Sequence, residues 1–230
     1  KFEDRFWLDK IGHDKDPNIW FMNAHEVNAY YDPSTNEICF PAGILQYPFF
    51  DMSADDAFNY GAIGAVIGHE MTHGFDDQGR QFDKDGNMRD WWTAADAKSF
   101  VARANVMRDF FNNIIVAPGV HANGEFTLGE NLADYGGVMV AYTAYVNFGN
   151  RTGDADGFTD VQRFFISYAT NWTSNIRDEA VLKQTKTNEH SLERWRVNGI
   201  LPHIDAWYDA FGVDQSNKMY VAPEKRVKIW

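Results

Sequence analysis

The stretch that most constrains this chain runs from Ala62 to Gly74, Ala-Ile-Gly-Ala-Val-Ile-Gly-His-Glu-Met-Thr-His-Gly. A compact apolar run leads straight into His69-Glu70-Met71-Thr72-His73. On a helix, residues four apart stand one turn above each other on the same face, so two imidazoles at that spacing can aim at one point. Two ring nitrogens at about 2.0–2.1 Å are half of a tetrahedral zinc shell. Glu70 projects from the neighbouring face, where a carboxylate can take a proton from a metal-held water. The competing reading is a chance match. The apolar approach argues against it, because it suits a buried helix that delivers polar groups into a cleft.

A catalytic zinc of this type needs a third protein ligand and keeps one position for water. Thr127-Leu128-Gly129-Glu130-Asn131-Leu132-Ala133-Asp134 opens a helix expected to reach about Phe148. Glu130 is a candidate ligand, and Asp134, one turn on, could accept the free N–H of a ligand imidazole. Two plainer readings stand beside these. Thr127-x-x-Glu130 has the form of a capping box, in which Glu130 only closes a helix end, and Asp134 could simply face solvent. Gly129, Ala133, Gly136 and Gly137 would let this helix approach another closely.

Elsewhere the patterns are mostly structural. Glu26–Tyr31 and Glu37–Phe40 read as two strands of a hairpin around Asp32-Pro33-Ser34-Thr35-Asn36. Asn28 is there either an edge residue or a group that holds an extended peptide. Cys39 reads as a small core residue. Pro41–Phe50 is an irregular buried loop or short strand. Ser53 with Asp56 starts a helix over about Ala54–His73, with a break near Asn59-Tyr60-Gly61 and a stop at Gly74. Thr93 starts another, to about Asn113, and Ala117-Pro118-Gly119 breaks the chain. Asp83-Lys84-Asp85-Gly86-Asn87 resembles the start of a calcium loop but lacks its terminal Glu, Ala94 standing there, so it reads as a turn. Further helices are expected at about Val161–Ile176 and Leu201–Phe211. His190 alone reads as structural or exposed. No repeat or domain linker interrupts the chain.

The balance of 21 basic against 33 acidic residues, −12 net, speaks against a nucleic-acid partner. A single cysteine excludes an intrachain disulfide. No run of eighteen apolar residues occurs, so no membrane span is expected. The chain begins at Lys1 without an initiator Met, as a piece of a longer protein would, so the lack of a signal peptide says nothing about location.

Together, Val27-Asn28-Ala29-Tyr30-Tyr31, Phe40-Pro41-Ala42-Gly43-Ile44-Leu45-Gln46, Gly68 through Asp77, Asp90-Trp91-Trp92, Gly129 through Asp134 and the terminal Trp230 resemble the C-terminal catalytic lobe of neprilysin-like zinc endopeptidases. They recur in that family's order over nearly the whole chain. The resemblance implies an α+β, mostly helical, thermolysin-like zincin lobe, one unit over residues 1–230, with a small sheet or hairpin lining the cleft. It implies one Zn²⁺ per chain held by His69, His73 and Glu130, with Glu70 as general base and later proton donor, and Asp134 orienting a zinc-binding His. It further implies that Asn28 and Ala29 hold the peptide backbone, that His190 stabilises the oxyanion, and that Arg196 binds a substrate carbonyl. Ile44, Phe49, Val66 and Trp172 would line an apolar pocket just beyond the scissile bond. The expected substrate is a short peptide cut on the amino side of a large apolar residue.

Two departures qualify the resemblance. Animal members carry a Cys three places before the terminal Trp, where this chain has Val227, so it looks like a bacterial member, extracellular, surface-bound or periplasmic. The family's helical N-terminal cap lobe, a partner of the cleft, has no counterpart in these residues, so the piece is expected to hold zinc yet cleave poorly or lose its size limit. The alternative is an inactive metal-binding or adhesive surface module.

Overall fold

The computed structural model describes residues 2–16 and 18–229; Lys1, Pro17 and the terminal Trp230 quoted above lie outside the described residues. A short helix, α1 (Phe2–Leu8), precedes the hairpin. Strands β1 (Tyr30–Asp32) and β2 (Glu37–Cys39) pair antiparallel with Tyr30 opposite Cys39. The first strand is shorter than its β-rich sequence predicts, because Glu26 turns back to accept from Asn23 N–H and closes a turn just before it. The Asp32 carboxylate accepts from Ser34 N–H and Thr35 Oγ1, and Asn36 takes the left-handed conformation that closes the loop. Cys39 is half-buried rather than in the core.

The helix expected from Ala54 begins later. Asp55, not Ser53, caps it by accepting from Phe58 N–H; the Ser53 hydroxyl is spent on Asp51. It runs as α2 (Asp56–Asn59), a π-helical turn at Tyr60–Gly64 where the break was anticipated, and α3 (Ala65–His73). Gly74 ends it in ordinary right-handed conformation. Thr93 caps α4 (Ala94–Asn112) through Asp96 N–H, as its sequence indicates. The breaking Pro-Gly then proves to be a hairpin turn between β3 (Ile115–Ala117) and β4 (Val120–His121).

Next comes α5 (Leu128–Phe148), the long helix through the middle of the core. Its capping box does not form. Thr127 Oγ1 instead donates to Asn123 C=O and accepts from Asn131, which leaves Glu130 free for other partners. An unanticipated capping box, Thr159 with Gln162, does open α6 (Asp160–Asn171). It stops five residues short of expectation and is followed by an unanticipated helix, α7 (Asp178–Thr187), which buries none of its side chains. Helix α8 (Glu193–Asn198) and α9 (Asp205–Phe211) close the order, the latter preceded by a separate 3-10 turn at Leu201–His203.

One core, built from Phe111, Leu132, Val138, Tyr145, Phe164, Phe165, Ile200 and Ile204 among others, joins α4, α5, α6 and α9. Val227, where animal relatives were expected to carry Cys, is fully buried in it, and its carbonyl accepts from Tyr135 Oη at 3.0 Å. A smaller cluster of Ala29, Ile44 and Ile63, with Phe40, Phe49 and Val66, sits under the β1–β2 hairpin. Between the two, α3 lies directly on α5. A Cβ on Gly68 would fall 2.7 Å from the Gly137 carbonyl oxygen, and one on Gly137 would fall 2.5 Å from that of Ala65. The absence of side chains there is what lets the backbones touch.

Candidate active site

Helix α3 presents His69 and His73 on one face, and α5 presents Glu130 and Asp134 opposite. The glycine contact fixes their separation. His69 Nε2 and His73 Nε2 stand 3.0 Å apart, and Glu130 places Oε2 3.3 Å from the first and Oε1 3.6 Å from the second. Each imidazole is pinned from behind. His69 Nδ1 lies 2.8 Å from Asp134 Oδ1, and His73 Nδ1 lies 2.7 Å from Asp76 Oδ2. With Nδ1–H donated to a carboxylate, the neutral ring keeps a lone pair on Nε2. Two such nitrogens and a carboxylate then converge as acceptors with no donor among them. That donor set, two imidazoles and one carboxylate within 4.8 Å of one another, fits a divalent cation of the zinc type.

Without a cation between them, the carboxylates favour a proton on His69 instead. Burial acts to lower the His69 pKa, but Asp134 and Glu130 outweigh it and push it up to about 10 in the metal-free site. Burial would raise the Glu130 carboxyl; the surrounding imidazoles hold it well below the usual range instead. Asp134, only 3% exposed, is likewise raised by burial and lowered more by Arg196, whose Nε and Nη2 reach its two oxygens at 2.8 and 2.6 Å. Its solvent-facing reading is therefore wrong. Glu70 is 5% exposed, and burial pushes its pKa up, against the opposing pull of His69 and His73. A carboxylate so placed binds a proton more readily than one in water.

All the expected site residues line one cavity of about 780 Å³. Asn28 is exposed on its wall beside buried Ala29, just before β1. Ile44, Phe49 and Val66 form an apolar side, backed by Ile63. Trp172, at the end of α6, carries the Arg196 guanidinium over its ring at 3.7 Å. His190 arrives on the loop before α8. Its neighbour Ser191 donates to Asn131 Oδ1 at 2.7 Å, tying the loop to α5, and its Nε2 stands 3.1 Å from Glu130 Oε2. Asp83, by contrast, spends its carboxylate on the N–H groups of Asp85 and Asn87 in a closed turn.

Two positioning groups escaped the sequence reading. Asp76 lies three residues past His73, and it also accepts from the N–H of Gln78 and Gly79. Its signal was an acid just beyond the second histidine. Asn188 Oδ1 accepts from both His190 N–H and His190 Nδ1 at 3.0 Å. Nothing in the local sequence marked it.

Comparison with known proteins follows the same lines. The model of Peptidase family M13 matches residues 28–227. Human membrane metallo-endopeptidase-like 1 is 43% identical over 97% of this chain and 29% of its own length, and mouse neprilysin is 40% identical over all of this chain and 31% of its own. The solved zinc metalloprotease ZMP1 of Mycobacterium tuberculosis, in complex with an inhibitor, superposes with a TM-score of 0.94 at 42% identity, covering this whole chain and 36% of that one. The chain thus spans about a third or less of the proteins it matches.

Proposed function

The chain belongs to peptidase family M13, and from that membership we propose that it is the catalytic lobe of a zinc endopeptidase that cuts short peptides on the amino side of large apolar residues. The observation that carries the reading is the convergence of His69, His73 and Glu130 with Glu70 buried beside them. His69 Nε2, His73 Nε2 and the Glu130 carboxylate would hold one Zn²⁺. When bound, the ion supplies Lewis acidity toward the scissile carbonyl and makes a water easier to deprotonate at neutral pH.

The remaining chemistry belongs to the protein. Glu70 accepts the proton of the attacking water as its oxygen bonds to the carbonyl carbon, and returns that proton to the amine nitrogen as the C–N bond breaks. The raised pKa of Glu70 favours the first half of this exchange, in which it takes the proton. His190, held through Nδ1 by Asn188, would donate from Nε2 to the developing oxyanion, a contact worth about 2.7–4 kcal/mol in comparable sites. Arg196, with Nε and Nη2 committed to Asp134, keeps Nη1 for a substrate carbonyl. Asn28 and Ala29 would align an extended peptide along the wall. The apolar side of Ile44, Phe49 and Val66, with Trp172, would receive the residue just after the scissile bond.

Glu70→Gln should retain zinc and lose hydrolysis of a quenched peptide by about 10²–10⁴-fold. Undiminished turnover in that variant, with metal content unchanged, would end the assignment of Glu70. A peptide series in which Phe or Leu after the scissile bond is no better cut than Ala would remove the pocket assignment. An inactive surface module is disfavoured because nothing but turnover uses Glu70 in a buried position beside two histidines. By the same family likeness, residues beyond this lobe would form a helical cap over the cleft, and the protein would work outside the cytoplasm of a bacterium.

A further inference from the structure

The π-helical turn at Tyr60–Gly64 interrupts the helix just ahead of α3, and its surroundings tie it to the pocket wall. Ile63 N–H donates outside the helix, to Phe49 C=O at 2.9 Å. Just before the turn, Asn59 reaches the same loop. Its Oδ1 accepts from Asp51 N–H at 3.0 Å, and its Nδ2 donates to Asp51 C=O at 2.8 Å. A side-chain amide carries acceptor and donor side by side, so it can hold both backbone groups of one residue. On the other side, Ser167 Oγ of α6 donates to Phe58 C=O at 2.8 Å, and Gly61 leaves no room for a Cβ beside Phe164 C=O. The turn is therefore fixed to α6 behind and to the Phe49–Asp51 loop in front. Between Ile44 and Asp56 that loop has no helix or strand of its own, so such bonds decide where Phe49 stands.

We propose that Asn59 is a positioning residue for substrate choice: by clamping Asp51 it holds Phe49 in the cluster with Ile63 and Val66, and so sets the width of the apolar pocket. The inference rests on that pocket receiving the residue just after the scissile bond. Asn59 does not line the cavity, so it acts only through the loop. Without its amide, Asp51 N–H and C=O lose their partner and turn to water, and the Phe49 wall loosens. A large apolar side chain then loses contact with the wall, whereas a methyl group never fills the pocket.

The test measures binding of two peptides, identical except for Phe or Ala after the scissile bond, by calorimetry. It uses the zinc-loaded protein carrying Glu70→Gln, so that no turnover is needed. This parent should bind the Phe peptide more tightly. Adding Asn59→Ala should lower the Phe-over-Ala ratio about tenfold, while zinc content and affinity for the Ala peptide hold. Asn59→Asp keeps the shape and the acceptor for Asp51 N–H but loses the donor to Asp51 C=O; it should lower the ratio in the same direction, and it serves if Asn59→Ala does not fold. An unchanged ratio in a variant that holds zinc, or an equal loss for both peptides, overturns the proposal. A parent without preference for Phe overturns the pocket assignment first and this inference with it, so the two failures are told apart.

Discussion

Asp134 satisfies two cations' worth of geometry at once. Its Oδ1 takes His69 Nδ1 and Arg196 Nη2, and its Oδ2 takes Arg196 Nε, all without solvent. Arg196 is itself buried, stacked on Trp172, with its backbone carbonyl accepting from Tyr168 Oη. Removing the carboxylate therefore has two separable effects. Asp134→Asn keeps the shape but weakens the hold on the His69 tautomer, and should lower zinc affinity about 10–100-fold in a chelator competition. Asp134→Ala leaves the guanidinium uncompensated, and should cost the metal-free protein about 3–5 kcal/mol in urea unfolding. If Asp134→Ala is as stable as wild type without metal, the ion pair is not what holds α5 to α8.

At the scale of elements, the site is a property of the α3–α5 contact more than of either helix. The two imidazoles on α3 meet the Glu130 carboxylate on α5 because Gly68 and Gly137 let two backbones touch. Gly137→Ala must push them apart or distort one of them, so it should destabilise the protein by about 1–3 kcal/mol and weaken zinc binding in step. Thr159→Ala is the control. It removes the cap of α6, which carries no metal ligand, and should cost about 1 kcal/mol in unfolding with zinc affinity unchanged. Equal losses of affinity in both would mean that global stability, not helix separation, sets metal binding.

For the molecule as a whole, the C-terminal segment is locked to the core through a histidine outside the site. His203 Nδ1 accepts from Val227 N–H at 3.2 Å, and its ring meets Phe110 edge to face. Burial, and after it the charge of Arg226, lowers its pKa from 6.5 to about 4. The folded pKa lies below the unfolded one, so as pH falls the unfolded chain takes up the proton first. The His203 contribution is whole above about pH 6.5 and is lost as pH falls toward 4. In thermal melts of the metal-free protein over that window, wild type should lose more of its midpoint than His203→Gln, which keeps an acceptor for Val227 but does not titrate. Parallel curves would remove His203 from the acid response.

The sequence by itself determined the local geometry. The i, i+4 spacing set His69 over His73 and Glu130 over Asp134, and the Thr93 cap and the Asp32–Asn36 turn were legible because their partners lie within a few residues. Spacing along one helix says nothing about what faces it, so whether Glu130 capped its own helix or met the imidazoles stayed open until α3 and α5 were seen in contact. The same limit hid Asn188 and the fork of Arg196 on Asp134, whose partners are distant or sit on a loop without pattern. Helix α7 was missed because its apolar residues, Ala180, Val181 and Leu182, are adjacent in sequence, so no helical period marks them. Tertiary structure alone decided which polar groups share a buried space, because their energies depend on separations that only packing sets.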